Sequence, residues 1–481
     1  MATLVFVHGW SVTDTSTYGR MPERLQQAAM AAGTPLTLAD IWLSEYVSFD
    51  DSVTMNDLVR GFDHALRDLH LDGPDFACIT HSTGGPVMRE WLRAQRDEPG
   101  RCSTIRLTHL VMLAPANYGS ALAQVGKGDI GKLKAWLGGV EPGRHILDWL
   151  ELGSPESLAL NLDYIHSADP AASGQFQFVL TGDRPDRKFY DHLNSYTGED
   201  GSDGVMRIAA ANLNARHAVL AVQDGELAGG IDALSLTLRR GPRCAFRMIP
   251  GASHSGTEHG ILASATPLTV ATILDCLQVR DLAGYTALCD RFDGANAARD
   301  KDKVELEPAG PFPPRVHIHD PRSLVIVRLT DEAGHALAGT GCLFTAGPDA
   351  SPDHMPQGFM LDHQANTRAR NTVSLYFDYS LLAGDGRVPD PRNTRKTLRP
   401  AVPSHRPYGA LIEPADLAGL VHHALARNKP GDDLFDMLGP HQTTVLDVVL
   451  PRKVHAGVFR LTQDLTPQDF SKPVSGPAIG H

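Results

Sequence analysis

A serine, Ser82, lies between an apolar segment and two glycines in the stretch FACITHSTGG, residues 76–85. The segment before it is typical of a buried strand, and a helical pattern begins at Gly84 and Gly85. A tight strand-to-helix turn would strain the serine backbone and project its hydroxyl above a sheet, beside the free N–H groups of a helix N-terminus. The pattern favours nucleophilic acyl transfer by Ser82, and a helix N-cap is the alternative role for this residue.

A second apolar segment, LVFVHGW at residues 4–10, ends in His8 and Gly9. The oxyanion that forms during acyl transfer needs two hydrogen-bond donors about 3 Å away. We expect the backbone N–H groups of Trp10, just past the His-Gly turn, and of Thr83, next to the nucleophile, to supply them. An ordinary strand-ending turn is the alternative for His8 and Gly9.

These two motifs resemble the α/β-hydrolase superfamily, and within it the bacterial lipases whose nucleophile turn has the pattern Ala/Thr-His-Ser-x-Gly-Gly and whose oxyanion strand ends in His-Gly. The resemblance covers roughly residues 1–285 and departs from the usual Gly-x-Ser-x-Gly pattern by having Thr80 at the first glycine. It implies the α/β-hydrolase fold and partners in the chain order serine, acid, histidine.

Two acids and two histidines follow Ser82 at positions that fit this order. Asp203 lies in an Asp-Gly-apolar-apolar turn similar to the one that lipases use, and Asp183 directly follows the strand-like FQFVLTG. His254 is the first histidine after the strand-like CAFRMI, and His259 is the second. We favour Asp203 and His254, with Asp183 and His259 as alternatives; each could instead be an ordinary loop residue.

The predicted mechanism uses these residues without a metal or an organic cofactor. His254 takes the Ser82 proton, Asp203 fixes the imidazole tautomer, and the Trp10 and Thr83 amides hold the oxyanion. Water then completes the cycle by hydrolysing the acyl-enzyme.

The order of elements along the chain predicts how these residues are positioned. Strand-like and helical segments alternate up to about residue 285, which predicts a mostly parallel sheet with helices on both faces. We assign residues 1–285 to the catalytic domain, 286–315 to a charged, proline-rich linker and 316–465 to a β-sandwich-like accessory domain with one helix over EPADLAGLVHHALARN. Residues 466–481 are expected to form a flexible tail.

An insertion at about residues 118–166 is expected to form a helical cap over the site. One helical face within it is apolar and lysines lie nearby, so the cap is predicted to close over an acyl pocket or to make transient contact with a membrane. A cap helix packed permanently on the core is the alternative. The apolar residues are Ile130, Leu133, Trp136 and Leu137, and the lysines are Lys127, Lys132 and Lys134.

Composition limits the possible partners and location. The 481 residues are 42% hydrophobic and 21% charged, which is typical of a globular protein, and the net charge of −12 argues against nucleic acid as a partner. Six scattered cysteines favour a reduced, cytoplasmic site of synthesis. The start of the chain has no signal-peptide pattern, so export is expected only through a signal-independent secretion system, as in the bacterial lipase effectors that the chain resembles.

The sequence therefore predicts a serine carboxyl-ester hydrolase that acts on lipid, either a lipase or a phospholipase. A thioesterase, a polyester depolymerase or a small-ester esterase is the alternative within catalysis. A non-catalytic binding protein on a hydrolase fold, with the C-terminal β-domain contacting a partner protein, is the less favoured alternative. A metal site at His317, His319 and Asp320 is also less favoured than a pair of surface histidines.

Overall fold

The computed structural model describes residues 3–8, 18–48, 50–71, 75–124, 143–185, 199–227, 230–256, 258–309, 312–417, 419–455 and 458. Its strands, in chain order, are β1 Thr3–His8, β2 Leu38–Trp42, β3 Asp75–His81, β4 Arg106–Leu113, β5 Phe176–Gly182, β6 Arg216–Leu227, β7 Ile231–Arg240, β8 Ala245–Ile249, β9 Val304–Ala309, β10 Phe312–Ile318, β11 Arg322–Asp331, β12 Gly341–Ala346, β13 Met360–Ala365, β14 Thr372–Asp378, β15 Val388–Asp390, β16 Asn393–Arg399, β17 Tyr408–Glu413, β18 Val421–His423, β19 Ala426–Asn428, β20 Gln442–Leu450 and β21 Arg452–Val454.

The helices of the described residues are, in chain order, α1 Met21–Ala31, α2 Leu43–Tyr46, α3 Met55–Asp68, α4 Gly84–Asp97, α5 Arg144–Leu150, α6 Pro155–His166, α7 Ile208–Ala211, α8 Pro267–Leu277, α9 Leu282–Lys301 and α10 Tyr379–Ala383. Short 3₁₀ turns cover Pro170–Ser173, Pro352–His354 and Leu434–Met437. None of these helices is long and apolar enough to cross a membrane.

A six-stranded parallel sheet, the first sheet, underlies the Ser82 turn. Its strand order is β2-β1-β3-β4-β5-β8, and every neighbouring pair is parallel. Every residue of β5 is buried, as expected for a parallel strand that is covered on both faces. Helices α3 and α4 pack on one face through Phe62 and Trp91, and α1, α8 and α9 pack on the other through Leu25, Ile273 and Phe292. The predicted parallel sheet with helices on both faces is confirmed.

A nine-stranded mixed sheet, the second sheet, accounts for most of the C-terminal half of the chain. Its order is β12-β17-β19-β7-β6-β20-β11-β14-β13. Most pairs are antiparallel, but β11 with β20, β20 with β6 and β19 with β7 are parallel. The expected β-rich C-terminal part is therefore present. The β6–β7 hairpin, however, belongs to the segment assigned to the catalytic domain, so strands from both sides of that boundary build one sheet.

The segment predicted to be a linker, residues 286–315, does not have that structure, and this prediction is wrong. Its first part belongs to helix α9. Asp281 is the N-cap of this helix and accepts from the N–H of Gly284 (2.8 Å), and basic residues lie in the last turn. Apolar residues at helical spacing bury one face, and Asn296 bonds the backbone of β8 at Phe246 and Met248. The prolines come after the helix, and the register of the β9–β10 hairpin shifts between Phe312 and Arg315, where Pro313 and Pro314 lie.

The helix predicted over EPADLAGLVHHALARN is also wrong, because this segment forms the end of β17 and the short strands β18 and β19. Gly419 has φ +141°, a conformation that ends any helical path there. Strand β19 then pairs with β7 and β17, and β18 pairs with β21. Pairing with strands that are distant in sequence overrides the helical spacing of the apolar residues.

An apolar cluster joins the catalytic segment to the second sheet. Tyr118 and Ala209 from the catalytic segment pack with Leu324, Tyr376 and Val445, which come from β11, β14 and β20. A separate cluster, which includes Phe377 and Tyr408, covers the other face of the same strands. The second sheet therefore contacts the catalytic segment through one face and has a core of its own on the other.

Candidate active site

Ser82 lies between the end of β3 and the start of α4 with φ +53°, in the left-handed region that non-glycine residues rarely adopt. Its backbone N–H donates to Leu113 O (3.1 Å), and its carbonyl accepts from Gly85 N and Ala116 N, both at 3.2 Å. The N-cap of α4 is Thr83, and no side chain caps the helix. The alternative role of Ser82 as a helix cap is therefore not supported.

The glycines after Ser82 make room for this turn. A Cβ at Gly85 would lie 2.7 Å from the Cβ of Pro115, and one at Gly84 would lie 3.2 Å from the Cβ of Thr80. Thr80, which replaces the usual first glycine, is fully buried. Its side chain occupies the space that Gly84 leaves, which explains how the turn tolerates a threonine there.

Asp203 and His254 form a buried pair. The imidazole Nδ1 of His254 lies 3.0 Å from Asp203 Oδ2, and the two side chains are 8% and 0% exposed. The other oxygen of Asp203 accepts from the N–H groups of Val205 (3.0 Å) and Met206 (2.7 Å), and the His254 N–H donates to the Asp203 carbonyl (2.9 Å). Two backbone N–H donors thus fix the orientation of the carboxylate that accepts the hydrogen bond of the imidazole.

His254 is also held next to the serine turn. The His81 ring, one residue before Ser82, lies 4.5 Å from the His254 ring between centroids, and His81 Nε2 is 3.1 Å from the His254 carbonyl oxygen. The structure therefore brings the predicted acid and base together and puts the base against the residue that precedes the predicted nucleophile.

The two alternative residues have other surroundings. Asp183 accepts from Gly251 N (2.7 Å) and pairs with Arg299 (2.6 Å), so its two oxygens tie the loop before His254 to helix α9. His259 is exposed, and its carbonyl accepts from Ser253 N (2.9 Å). In these contacts neither residue belongs to a carboxylate–imidazole pair like that of Asp203 and His254.

Only one of the two predicted oxyanion donors lies within the described residues. Thr83 is buried and precedes α4, whose first N–H groups have no partners within the helix. Trp10 lies outside the described residues. The apolar cap residues Ile130, Leu133, Trp136 and Leu137, the three lysines near them and the predicted tail 466–481 also lie outside, so membrane contact by the cap stays a prediction.

The two histidines considered for a metal each bind a glutamate instead. His317 Nε2 is 3.1 Å from Glu307, and His319 Nε2 is 2.7 Å from Glu305, across the β9–β10 hairpin. Across the described part of the chain, no group of three histidine, cysteine or acidic side chains is arranged to hold a metal ion.

A buried ion pair beside Asp203 was missed by the sequence reasoning. Arg207 is 2% exposed, forms two hydrogen bonds with Glu199 (2.9 and 3.0 Å) and one with Asp362 (2.5 Å), and its guanidinium carbon lies 4.1 Å from the ring centroid of Tyr376. Burial by itself would lower the pKa of Arg207, but the Glu199 carboxylate holds this pKa above its ordinary value. Asp362 and Tyr376 belong to the second sheet, so no local pattern around Arg207 could have indicated them.

Among solved structures, phospholipase PlaB from Legionella pneumophila is similar to this chain over 100% of both chains, with 36% sequence identity and a TM-score of 0.83. The chain belongs to the PlaB family. The structure of PlaB in complex with thio-NAD matches equally, with 36% identity, a TM-score of 0.82 and 100% of each chain covered. No protein-family model matches the chain, and no curated protein matches it either.

Membership of the PlaB family confirms the expected resemblance to bacterial lipases and phospholipases and the α/β-hydrolase fold with an added β-rich part. The chain is a carboxylic ester hydrolase.

Proposed function

We propose that this chain hydrolyses the carboxyl esters of lipids, and of phospholipids in particular, through an acyl-enzyme on Ser82. The observation that carries the proposal is the buried His254–Asp203 hydrogen bond, 3.0 Å long, with the His254 ring packed against His81, the residue before a serine in the left-handed backbone conformation. The substrate class is proposed from the full-length similarity to a protein named as a phospholipase.

The proposed mechanism follows from the hydrogen bonds of the pair. Because Nδ1–H of His254 donates to Asp203, the other ring nitrogen is left as an acceptor for the Ser82 proton. The Ser82 oxygen attacks the ester carbonyl carbon while His254 takes the Ser82 proton, and His254 then passes this proton to the departing alcohol. Water next attacks the acyl carbon and gives a proton to His254, which returns it to Ser82 as the carboxylic acid is released. We propose the Thr83 N–H as one oxyanion donor, and Trp10 N–H remains the predicted second.

The experiment that tests this proposal compares wild type with Ser82→Ala on a short-chain nitrophenyl ester and on phospholipid vesicles. Ser173→Ala is a matched control, because Ser173 is exposed at a 3₁₀ turn and bonds only the nearby Pro170 carbonyl (2.8 Å) among the described contacts. We expect wild type and the control to cleave both substrates and Ser82→Ala to cleave neither.

The other outcomes decide between the alternatives. Cleavage of the short ester alone would leave a small-ester esterase, thioesterase or polyester depolymerase. Equal activity of wild type and Ser82→Ala would remove Ser82 as the nucleophile, and a wild type inert on both substrates would mean that its ester substrate belongs to neither of the two classes tested.

A second ligand is proposed from the comparison with PlaB, which was solved with thio-NAD bound. We propose that this chain also binds thio-NAD. The thermal midpoint of unfolding should then rise with thio-NAD concentration, because a ligand that binds only the folded state stabilises it. Nicotinamide alone is the control, and an unchanged midpoint at millimolar thio-NAD would reject this ligand.

A further inference from the structure

The loop that carries Asp203 rests on the second sheet. It closes on itself between Gly201 and Ile208, where Ile208 N donates to Gly201 O (3.0 Å). Gly201 has φ +82°, and a Cβ there would lie 2.7 Å from Arg322 Cγ and from the Tyr376 hydroxyl. The loop backbone is therefore in direct contact with side chains of β11 and β14.

Two directly paired residues of the second sheet hold this loop. Asp362 of β13 and Tyr376 of β14 are opposite each other in register, so their side chains share one face of the sheet. Asp362 binds the Arg207 guanidinium, the Tyr376 ring lies against it, and the Tyr376 hydroxyl donates to Gly201 O (3.0 Å). One cross-strand pair thus contacts both ends of the Asp203 turn.

The rest of the loop is attached to the same sheet. Thr443 Oγ1 donates to Ala209 O (2.7 Å), and Asn212 Nδ2 donates to His441 O (2.7 Å). By contrast, the described hydrogen bonds of Asp203 itself go to its own turn and to His254. The orientation of Asp203 is set by the turn. The second sheet holds both ends of this turn, and Ser120 of the catalytic segment also holds its middle by donating to Val205 O (2.9 Å).

We propose that Arg207 and Tyr376 are positioning residues, through which the second sheet sets the geometry of Asp203 toward His254. This inference rests on the proposed function, because it assigns a task to the acid of the proposed triad. The second sheet is then part of the catalytic apparatus, although none of its residues needs to touch the substrate. A shift of the turn would lengthen the hydrogen bond to His254 without changing any residue that reacts.

The test compares two conservative tyrosine variants. Tyr376→Phe removes the hydrogen bond to Gly201 O and keeps the ring against Arg207. Tyr408→Phe is the matched control, because Tyr408 is also buried in the second sheet and donates its hydroxyl at 3.0 Å to a backbone oxygen, that of Leu382. Tyr408 belongs to the apolar cluster on the other face of β14.

We expect Tyr376→Phe to lower kcat on a soluble ester by about five- to twentyfold, since small displacements of catalytic groups are costly, and to leave KM within about twofold. Tyr408→Phe should keep kcat within about twofold of wild type, while both variants lose a similar amount of stability in urea. Arg207→Lys, which cannot form the paired hydrogen bonds to Glu199, should lower kcat further.

A spectroscopic signature separates positioning from general destabilisation. The proton shared by His254 and Asp203 should give a downfield resonance in wild type and in Tyr408→Phe, shifted or broadened in Tyr376→Phe and absent in Asp203→Asn. Equal kcat and an unchanged resonance in both tyrosine variants would overturn the inference and leave the contact a purely structural one. Full activity of Asp203→Asn would instead refute the proposed triad, so the two failures are distinguishable.

Discussion

Replacing Asp203 with asparagine tests the proposed acid with little change in shape. In the structure, Asp203 Oδ1 accepts two backbone N–H groups, from Val205 and Met206, and Oδ2 faces His254 Nδ1. An asparagine has one oxygen and one NH₂ group for these three contacts. The outcome therefore depends on which way the amide turns.

The hydrogen bonds decide the orientation. With its NH₂ toward Val205 and Met206, the amide would leave two buried N–H groups unsatisfied, at about 1–3 kcal/mol each. With its oxygen on those two donors, the NH₂ faces His254 Nδ1, which can accept a hydrogen bond only in the other tautomer. The second orientation satisfies every group, so we expect it to be the one adopted.

The expected effect follows from the changed tautomer. His254 would then carry its proton on the nitrogen that must accept the proton of Ser82, and the base would be blocked. The same change in serine proteases lowers kcat by about 10⁴, which corresponds to about 5.4 kcal/mol of lost transition-state stabilisation. Because every hydrogen bond is replaced, the free energy of unfolding should change by less than about 1 kcal/mol.

The assay is kcat on a soluble ester together with urea unfolding, for Asp203→Asn and for Asp183→Asn. Asp183 is as buried as Asp203 but pairs with Arg299, so its amide variant should lose about 1–3 kcal/mol of stability and no more than about tenfold in kcat. A loss of only tenfold in Asp203→Asn, or a larger loss in Asp183→Asn, would refute the assignment of the acid.

Three further predictions concern the strained backbone at Ser82, the close packing at Gly182 and the protonation of His109. Ser82→Gly should abolish ester hydrolysis, as expected for Ser82→Ala, yet raise the free energy of unfolding by about 1 kcal/mol in urea titrations because glycine relieves the strain of the positive φ. Gly182→Ala should lower the free energy of unfolding by about 3 kcal/mol in the same titrations, since its Cβ would lie 2.0 Å from the carbonyl oxygen of Ala252. Ala252 is two residues before His254 in the chain, so kcat should also fall. Burial lowers the pKa of His109 below its ordinary 6.5, so the unfolded chain binds the proton more readily than the folded one. The free energy of unfolding should therefore fall as the pH drops below about 6.5. In His109→Gln its dependence on pH should be less steep.

The sequence was most informative where the chemistry is local. The Ser82 turn needs a strand, a serine and two glycines in a row, and all of these are visible in ten letters. The chain order of the hydrolase family then indicated Asp203 and His254, which form a hydrogen bond in the structure. Their catalytic roles stay proposals until the variants are measured.

The sequence was least informative where partners are distant along the chain. Asp362 and Tyr376 follow Arg207 by more than 150 residues, and a single sequence carries no signal of such a contact. The helical pattern of 413–428 likewise gave no sign of its pairing with β7. At α9 the charges and nearby prolines predicted a linker, whereas the chain forms a continuous helix there.

The position of β20 within the second sheet has a consequence for how the chain is made. This strand, Gln442–Leu450, lies between β6 and β11, so the middle of the sheet comes from nearly the last part of the described chain. Until the ribosome has delivered it, the β6–β7 and β11–β14 ribbons keep unpaired inner edges. A chain that stops before residue 441 would be left with two half-sheets, and the loop of Asp203 would lose its hydrogen bonds with His441 and Thr443. On the proposed function, we therefore expect hydrolytic activity only once synthesis has passed β20, so that shorter polypeptides would have little capacity to attack lipids in the cell that makes them.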